Sequence, residues 1–149
     1  MLLFLDIDGV LHPVATRPDQ HLVHRQRFEQ WAAGHPDVQI IITSSWRQRY
    51  PLAVLKGLFS PAIGARIIGT TPRIYGVPIR RRYEEILEWL KKNNGLGQSW
   101  LALDDSPADF PPGCAQLVCC DPAHGFDDAA ARELDRRIRA ATTSSLQMP

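Results

Sequence analysis

Aspartates and small hydroxyl residues follow three short apolar runs in this 149-residue chain. The three polar tips are Asp6-Ile7-Asp8-Gly9, Thr43-Ser44-Ser45, and Asp104-Asp105 with Asp109 four residues on. Carboxylates that crowd together repel one another unless protons or a cation compensate, and a set of oxygen ligands suits Mg²⁺. If the three tips meet, the chain is therefore expected to hold a magnesium site with hydroxyl groups beside it.

The elements that would position these tips are a set of strands alternating with helices. Apolar runs without alternation predict strands at residues 2–5, 38–42, 66–68, 100–103 and 116–119. Helical periodicity predicts helices over residues 22–33, 82–94 and 127–141. This alternation indicates a three-layer, doubly wound α/β fold with a parallel sheet, whose active site lies at the carboxyl ends of the strands.

Each tip also has a simpler interpretation. A lone Asp-x-Asp-Gly is more often a turn or a helix cap than a catalytic site, and Asp-Asp-Ser-Pro is typical of a loop. Thr43 and its neighbouring serines can cap the helix that follows them. Three such tips, each following an apolar strand, favour a site over three unrelated loops.

The same segments resemble motifs of the haloacid dehalogenase (HAD) superfamily. Asp6-Ile7-Asp8-Gly9-Val10-Leu11 resembles its motif I, residues 40–45 its motif II, and residues 101–105 with Asp109 its acidic motif IV. The combination of DIDGVL, TSSWR, RxxEIxxWL and WLALDD is similar to a small HAD branch whose members occur alone or fused to RNA-repair proteins. The resemblance covers roughly residues 1–120 and implies a HAD-like Rossmannoid core.

The resemblance implies a role for each residue of motifs I and IV. Asp6 would be the nucleophile that forms an aspartyl-phosphate, and Asp8 the general acid and base, a carboxyl that family dehalogenases lack. Gly9 would allow a sharp turn beside the ion. Mg²⁺ would be held by Asp6, the main-chain carbonyl of Asp8 and a motif IV carboxylate. For that carboxylate we favour Asp105 as the direct ligand, Asp104 as its orienting neighbour and Asp109 as an outer acid.

Thr43 would hold a phosphate oxygen, helped by Ser44, Ser45 and Arg47. The family also expects a cation beside Asp6, and the candidates are Arg80, Arg81, Arg82, Lys91 and Lys92. The predicted helix must run back down the sheet, and nine helical residues would carry the lysines about 13 Å from Arg82. We therefore favour Arg82, with Arg80 or Arg81 as the fallback and a solvated basic run as the alternative.

The connections leave little or no room for a cap domain, because residues 11–42 and 47–80 must also supply helices and a strand. In the family that the chain resembles, an open site often goes with large substrates such as nucleic-acid ends or proteins. Nearby arginines would steer a polyanion to it unless they simply face solvent. The leading hypothesis is a phosphomonoesterase, and the alternatives are a nucleic-acid end-processing phosphatase and a non-catalytic phosphate-binding module. The intact pair Asp6 and Asp8 argues against the last.

Composition sets the remaining limits. The net charge of +1 does not announce nucleic acid or membrane as a partner. The apolar start lacks a basic region and is interrupted by Asp6, so it predicts neither a signal peptide nor a membrane span. Three cysteines without metal spacing predict reduced core thiols and a cytoplasmic chain. One domain is expected over residues 1–141 with a frayed tail at 142–149, and the oligomeric state stays open.

Overall fold

A five-stranded parallel sheet forms the centre of the computed structural model, which describes residues 1–147. The strands are β1 (Leu2–Leu5), β2 (Gln39–Ile42), β3 (Ile67–Thr70), β4 (Trp100–Asp104) and β5 (Leu117–Cys119). Their order is β3-β2-β1-β4-β5, so β1 lies in the middle with β2 and β4 as neighbours. The predicted α/β class and parallel sheet are confirmed.

Helices cover both faces of this sheet. They are α1 (Arg25–Ala33), α2 (Leu52–Gly57), α3 (Pro61–Gly64), α4 (Arg81–Lys92) and α5 (Asp128–Leu146). Leu3 and Leu5 of β1 pack into the core that includes α1 and α5, whereas Leu2 and Phe4 face α4. Successive strand residues point to opposite faces, so a fully apolar strand buries both and produces the three-layer arrangement.

The amphipathic pattern of α4 explains how this helix packs. Ile86, Trp89 and Leu90 are buried in the core against Phe4, while Lys91 and Lys92 lie in the last turn, where cations complement the helix dipole. The helix begins at Arg81, one residue before the predicted start. Its amino end lies at the carboxyl edge of the sheet, as its direction in a parallel fold requires.

Two predicted helix boundaries were wrong by three residues or more. Helix α1 begins at Arg25 rather than at residue 22, because Leu22 has a positive φ of 63° that no helical residue adopts. Helix α5 continues to Leu146, so residues 142–146 are helical instead of frayed. Its hydroxyl groups bond to carbonyls four residues earlier, which satisfies them without leaving the helix: Thr142, Thr143, Ser145. The rest of the predicted tail, residues 148 and 149, lies outside the described residues.

The polar tips meet at one edge of the sheet. Leu5 pairs with Ile42 on one side and with Leu103 on the other, so the residues that follow these three positions leave the sheet at the same level. Within residues 1–147, the connections after β1 and β2 hold only short helices and turns, and no separate cap domain is present. No described helix has both the length and the apolar character needed to cross a membrane.

Candidate active site

Three carboxylates converge just beyond β1 and β4. One oxygen from each of Asp6, Asp104 and Asp105 lies within 4.8 Å of the others. Asp6 and Asp104 are buried, at 5% and 2% exposure. Burial, with repulsion from neighbouring carboxylates, raises the pKa of Asp6 well above its ordinary value and that of Asp104 to about 7. A bound cation would relieve both the desolvation and the repulsion.

Gly9 makes room for the third carboxylate. Its φ is +76°, and a Cβ built on it would lie 2.1 Å from Oδ2 of Asp105. A side chain at this position would therefore collide with the Asp105 carboxylate as well as strain the backbone. The turn of motif I is thus built to let Asp105 approach Asp6.

The donor set fits a hard cation such as Mg²⁺. Oδ1 of Asp104 accepts a hydrogen bond of 3.0 Å from the Ser106 N–H, but its buried Oδ2 accepts none. Among residues 1–147, Asp105 has no ion pair or side-chain hydrogen bond. Carboxylate oxygens that lie close together and accept no hydrogen bonds are the expected ligands of such an ion. Asp109 and the Asp8 carboxylate lie outside this cluster.

Arg82 is the cation that lies against the carboxylates. Its Nε is 3.4 Å from Oδ2 of Asp104, and its charge lowers the pKa of Asp6 and Asp104 against the effect of burial. Arg80 and Arg81 instead donate to the carbonyl oxygens of Phe110 and Ile74, at 2.7 and 2.6 Å. Lys91 and Lys92 stand in the last turn of α4, at its opposite end.

Two buried threonine hydroxyls at the same edge of the sheet as the carboxylates have no hydrogen-bond partner within the described chain. They are Oγ1 of Thr43, directly after β2, and Oγ1 of Thr71, directly after β3. The Thr71 N–H donates to the carbonyl of Ile42 at 3.0 Å, which places the two threonines next to each other. Thr71 was missed from the sequence, although it follows an apolar strand in the same way as Thr43.

The serines after Thr43 differ in exposure. Ser44 is fully buried, and its Oγ accepts a hydrogen bond of 3.2 Å from the Trp46 N–H, so it caps the short turn Ser45–Gln48. Ser45 is exposed at the rim. The capping interpretation of this segment is therefore correct for Ser44, and it leaves Thr43 as the hydroxyl without a partner.

Arg47 holds the main chain around these hydroxyls. Its guanidinium donates to the carbonyl oxygens of Thr43, Ser44 and Thr71 at 2.8, 3.0 and 2.8 Å, and it pairs with Glu85 of α4. Burial lowers the pKa of Arg47 and raises that of Glu85, and each opposes the other's shift. The structure therefore places Arg47 inside the wall of the site, where it joins β2, β3 and α4. Glu85 was not among the predicted site residues.

The Asp8 carboxylate lies outside the cluster of Asp6, Asp104 and Asp105, at a surface cleft. Nε2 of His12 is 2.8 Å from Oδ1 of Asp8, and Nε1–H of Trp46 donates to Oδ1 and Oδ2 at 3.3 and 3.2 Å. The Asp8 side chain is 44% exposed, whereas His12 is buried. Asp8 lines a cleft of about 250 Å³ together with Ser45, Trp46, Gln48 and Arg49.

A parallel α/β sheet with an Asp-x-Asp turn after its central strand, facing paired aspartates on the next strand, defines a HAD-type domain. Comparison with protein-family models makes this specific. Residues 2–131 match the model described as the HAD domain in Swiss Army Knife RNA repair proteins, and the chain belongs to this family. Comparisons with curated proteins and with solved structures give no significant match.

Proposed function

We propose that this HAD-type domain is a Mg²⁺-dependent phosphomonoesterase that works through Asp6. The observation that carries the proposal is the carboxylate cluster, in which burial raises the pKa of Asp6 and Asp104 and favours a cation, at the same sheet edge as two unpartnered hydroxyls. Membership of a HAD family supports a phosphohydrolase or a related role. Hydroxyl donors beside a cation site are what a bound phosphoryl group requires.

The proposed reaction has two steps. A carboxylate oxygen of Asp6 attacks phosphorus, the bond from phosphorus to the leaving oxygen breaks, and Asp8 gives that oxygen its proton. Asp8, now ionised, takes a proton from water as the water oxygen attacks the aspartyl-phosphate and the bond from Asp6 to phosphorus breaks. Phosphate leaves, and Asp6 and Asp8 return to their starting states.

The other residues supply charge and donors. When bound by Asp6, Asp105 and the main-chain carbonyl of Asp8, Mg²⁺ would neutralise the nucleophile and the phosphoryl oxygens. The hydroxyl groups of Thr43 and Thr71 donate hydrogen bonds to phosphoryl oxygens. Arg82 adds positive charge beside Asp104 and Asp6. Asp105 is the preferred direct ligand because Asp104 already accepts from Ser106 and pairs with Arg82.

The test is hydrolysis of para-nitrophenyl phosphate with and without Mg²⁺, by wild type and by Asp6→Asn. We expect turnover that requires Mg²⁺ in the wild type and none above background in the variant. Asp19→Asn, at an exposed pair with Arg17, is the matched control and should retain full activity. Absence of Mg²⁺-dependent turnover by the wild type across a broad phosphoester panel would overturn the proposal.

Arg82 has its own control at the far end of the same helix. Arg82→Ala should lower kcat/KM by roughly 10²-fold, because a cation that stabilises phosphoryl charge is lost. Lys91→Ala removes an exposed charge from the last turn of α4 and should change kcat/KM little. Equal losses in the two variants would remove Arg82 from the proposed site.

A nucleic-acid end-processing phosphatase is the second candidate, and an exposed segment beside the site favours it. Residues 72–80 connect Thr71 to the start of α4, and Tyr75, Val77 and Ile79 are 80%, 97% and 87% exposed. The Arg73 guanidinium lies 5.3 Å from the centre of the Tyr75 ring. An arginine beside an exposed aromatic ring suits single-stranded nucleic acid. The arginine can contact the phosphate backbone while a base stacks on the ring.

Oligonucleotides phosphorylated at either end, compared with para-nitrophenyl phosphate, test this candidate. Tyr75→Ala should lower kcat/KM about tenfold for the oligonucleotides, because base stacking is lost, and leave the small substrate unaffected. Val54→Ala, at an exposed apolar residue of α2, is the control. Oligonucleotides that react no faster than small phosphoesters would speak against it.

A non-catalytic phosphate-binding module is the third candidate function. Such a module would bind phosphate with Mg²⁺ but release no product, and the intact Asp6 and Asp8 pair argues against it.

A cytoplasmic setting is proposed because all three cysteines are unpaired. One expectation about them was wrong: Cys120 is buried, but Cys119 is exposed on the edge strand β5.

A further inference from the structure

Asp8 is held by two side chains that its place in motif I does not explain. His12 stands four residues later and is 1% exposed, and Trp46 comes from the turn after β2. Both point a ring nitrogen at the Asp8 carboxylate, at 2.8 Å and at 3.2 to 3.3 Å. An indole N–H can only donate, so Trp46 is a donor to Asp8 without ambiguity.

The direction of the His12 bond follows from its other nitrogen. The Leu22 N–H donates to Nδ1 of His12 at 3.1 Å, so Nδ1 carries a lone pair. A neutral imidazole then has its proton on Nε2, which faces Asp8. The main chain of Leu22 therefore fixes His12 in the tautomer that donates to the carboxylate.

The main chain that sets this tautomer is itself strained. Leu22 has a φ of +63°, a left-handed conformation that residues with a Cβ rarely adopt. His21, its neighbour, stacks on the His12 ring with centroids 4.6 Å apart and planes 18° apart. Strain of this kind persists where the surrounding structure requires it, and here it delivers an N–H and a covering ring to His12.

The two donors leave one side of Asp8 free. Oδ1 accepts from both His12 and Trp46, which uses the two lone-pair directions of a carboxylate oxygen. Oδ2 accepts only the 3.2 Å branch of the Trp46 bond, so one of its lone-pair directions stays open, and it belongs to a half-exposed side chain at the cleft. Oδ2 is therefore the oxygen that a substrate can reach.

We infer that His12 and Trp46 are positioning residues that fix the Asp8 carboxylate with Oδ2 toward the leaving oxygen of the substrate. The inference rests on the proposed function, in which Asp8 gives that oxygen its proton. His12 does not exchange protons in this scheme, since its Nδ1 is taken by a main-chain donor. Loss of either donor should therefore impair proton donation by Asp8 without impairing attack by Asp6.

The experiment compares two substrates that differ in how much they need that proton. Para-nitrophenolate leaves readily as an anion, whereas phenolate requires protonation more, so phenyl phosphate reports on Asp8. Trp46→Phe keeps an aromatic ring and removes the N–H. We expect kcat/KM for phenyl phosphate to fall at least about tenfold more than kcat/KM for para-nitrophenyl phosphate.

Trp31→Phe is a matched control from the same chain. Nε1–H of Trp31 donates to Oδ1 of Asp135 at 2.9 Å, so the substitution removes the same kind of bond far from the carboxylates. It should leave the ratio of the two kcat/KM values at the wild-type figure. A general loss of stability would lower both substrates alike in either variant and leave that ratio unchanged.

His12 is tested by a loss and a rescue. His12→Phe removes both ring nitrogens and should lower the ratio of phenyl to para-nitrophenyl turnover. His12→Gln offers an amide N–H to Asp8 and an oxygen to the Leu22 N–H, and should restore most of the ratio. If His12→Phe does not fold, Trp46→Phe still decides the matter.

The possible results separate the two proposals. A wild type that hydrolyses neither these two substrates nor any member of the broad phosphoester panel with Mg²⁺ overturns the proposed function. A wild type that is active, with Trp46→Phe and His12→Phe losing equally on both substrates, overturns the positioning inference alone. A selective loss on phenyl phosphate in these variants, absent from Trp31→Phe, supports it.

Discussion

An aspartate, a histidine and a tryptophan meet at two places in this molecule. The first group is Asp8, His12 and Trp46, at the mouth of the candidate site. The second joins α1 to α5: Nε1–H of Trp31 donates to Asp135 at 2.9 Å, and Nε2 of His35 lies 3.0 Å from the same oxygen. The residue types and distances are alike, so they do not by themselves distinguish a catalytic group from a structural one.

The two histidines differ in what their second nitrogen meets. Nδ1 of His12 meets the Leu22 N–H, whereas Nδ1 of His35 lies 2.9 Å from the Trp31 carbonyl, which can only accept. His12 is satisfied as a neutral ring, while both nitrogens of His35 are satisfied only when both carry protons. Asp135 is thus held between two helices by Trp31 and His35, whereas Asp8 keeps one oxygen with a lone-pair direction open to the cleft.

The largest expected difference between the groups comes from neutralising each aspartate. Asp8→Asn should lower kcat/KM by at least roughly 10²-fold, because the proton donor is lost, with little change in the free energy of unfolding. Asp135→Asn should retain activity and lower the free energy of unfolding by about 1 kcal/mol. Aryl phosphate kinetics and urea unfolding measure the two effects, and the comparison fails if Asp135→Asn loses activity to the same degree.

Gly9, next to Asp8, allows a test of the first group's surroundings, because an added Cβ there would displace the Asp105 carboxylate. Gly9→Ala forces a Cβ to within 2.1 Å of Asp105 Oδ2 at a φ of +76°. Because Asp105 must move, we expect the Mg²⁺ concentration for half-maximal activity to rise about tenfold or more. Gly57→Ala, with no atom within 4 Å of the added Cβ, is the control. An unchanged Mg²⁺ requirement in Gly9→Ala would exclude Asp105 as a direct ligand.

The pH dependence of stability should also distinguish the two regions. The pKa of Asp104 rises from 3.8 to about 7 on folding, and that of Asp6 rises too, so the folded chain binds more protons than the unfolded chain in this window. The free energy of unfolding should therefore fall as pH rises from about 4 to about 7, on the order of 1 kcal/mol per pH unit.

Mg²⁺ should reduce that fall, because the ion replaces the protons on the carboxylates. Asp6→Asn should reduce it as well, whereas Asp135→Asn should keep the wild-type slope. Thermal unfolding across the window, with Mg²⁺ or EDTA, makes the measurement. Identical slopes under both conditions would show that the ion does not bind the cluster.

The smallest expected effect changes no residue. Nitrogen NMR of the histidine side chains should show no proton on Nδ1 of His12, which faces the Leu22 N–H, and a proton on Nδ1 of His35, which faces the Trp31 carbonyl. His35→Gln identifies the second set of signals. Two histidines in the same state would remove the distinction between the groups.

Most of the fold could be predicted because the strands are short, apolar and buried on both faces. Runs such as Ile40-Ile41-Ile42 have few alternatives, and α4 carries its own charge pattern and apolar stripe. The start of α1 could not be predicted, since the left-handed turn at Leu22 depends on a contact with His12. The end of α5 was missed because Thr and Ser have low helix propensity, which side-chain bonds to the main chain offset here.

The candidate site was predictable where residues follow strands and less so where contacts arise between distant segments. Asp6 and Thr43 follow paired strands and Asp104 is the last residue of β4, so their convergence comes from the topology alone. The pair of Arg47 with Glu85 joins residues 38 positions apart, and no local pattern announces it. Thr71 follows a strand that the sequence placed too early, at residues 66–68, which hid its resemblance to Thr43.

The central place of β1 has a consequence for how this domain can vary. Asp6 follows a strand that is hydrogen-bonded on both sides and fully buried, so amide hydrogen exchange at Leu5 and Asp6 should require opening of the whole sheet. Residues 72–80 lie outside that cooperative unit, with three large apolar side chains in solvent. This exposed segment can therefore change in sequence while the Asp6 carboxyl stays at the end of the central, fully paired strand.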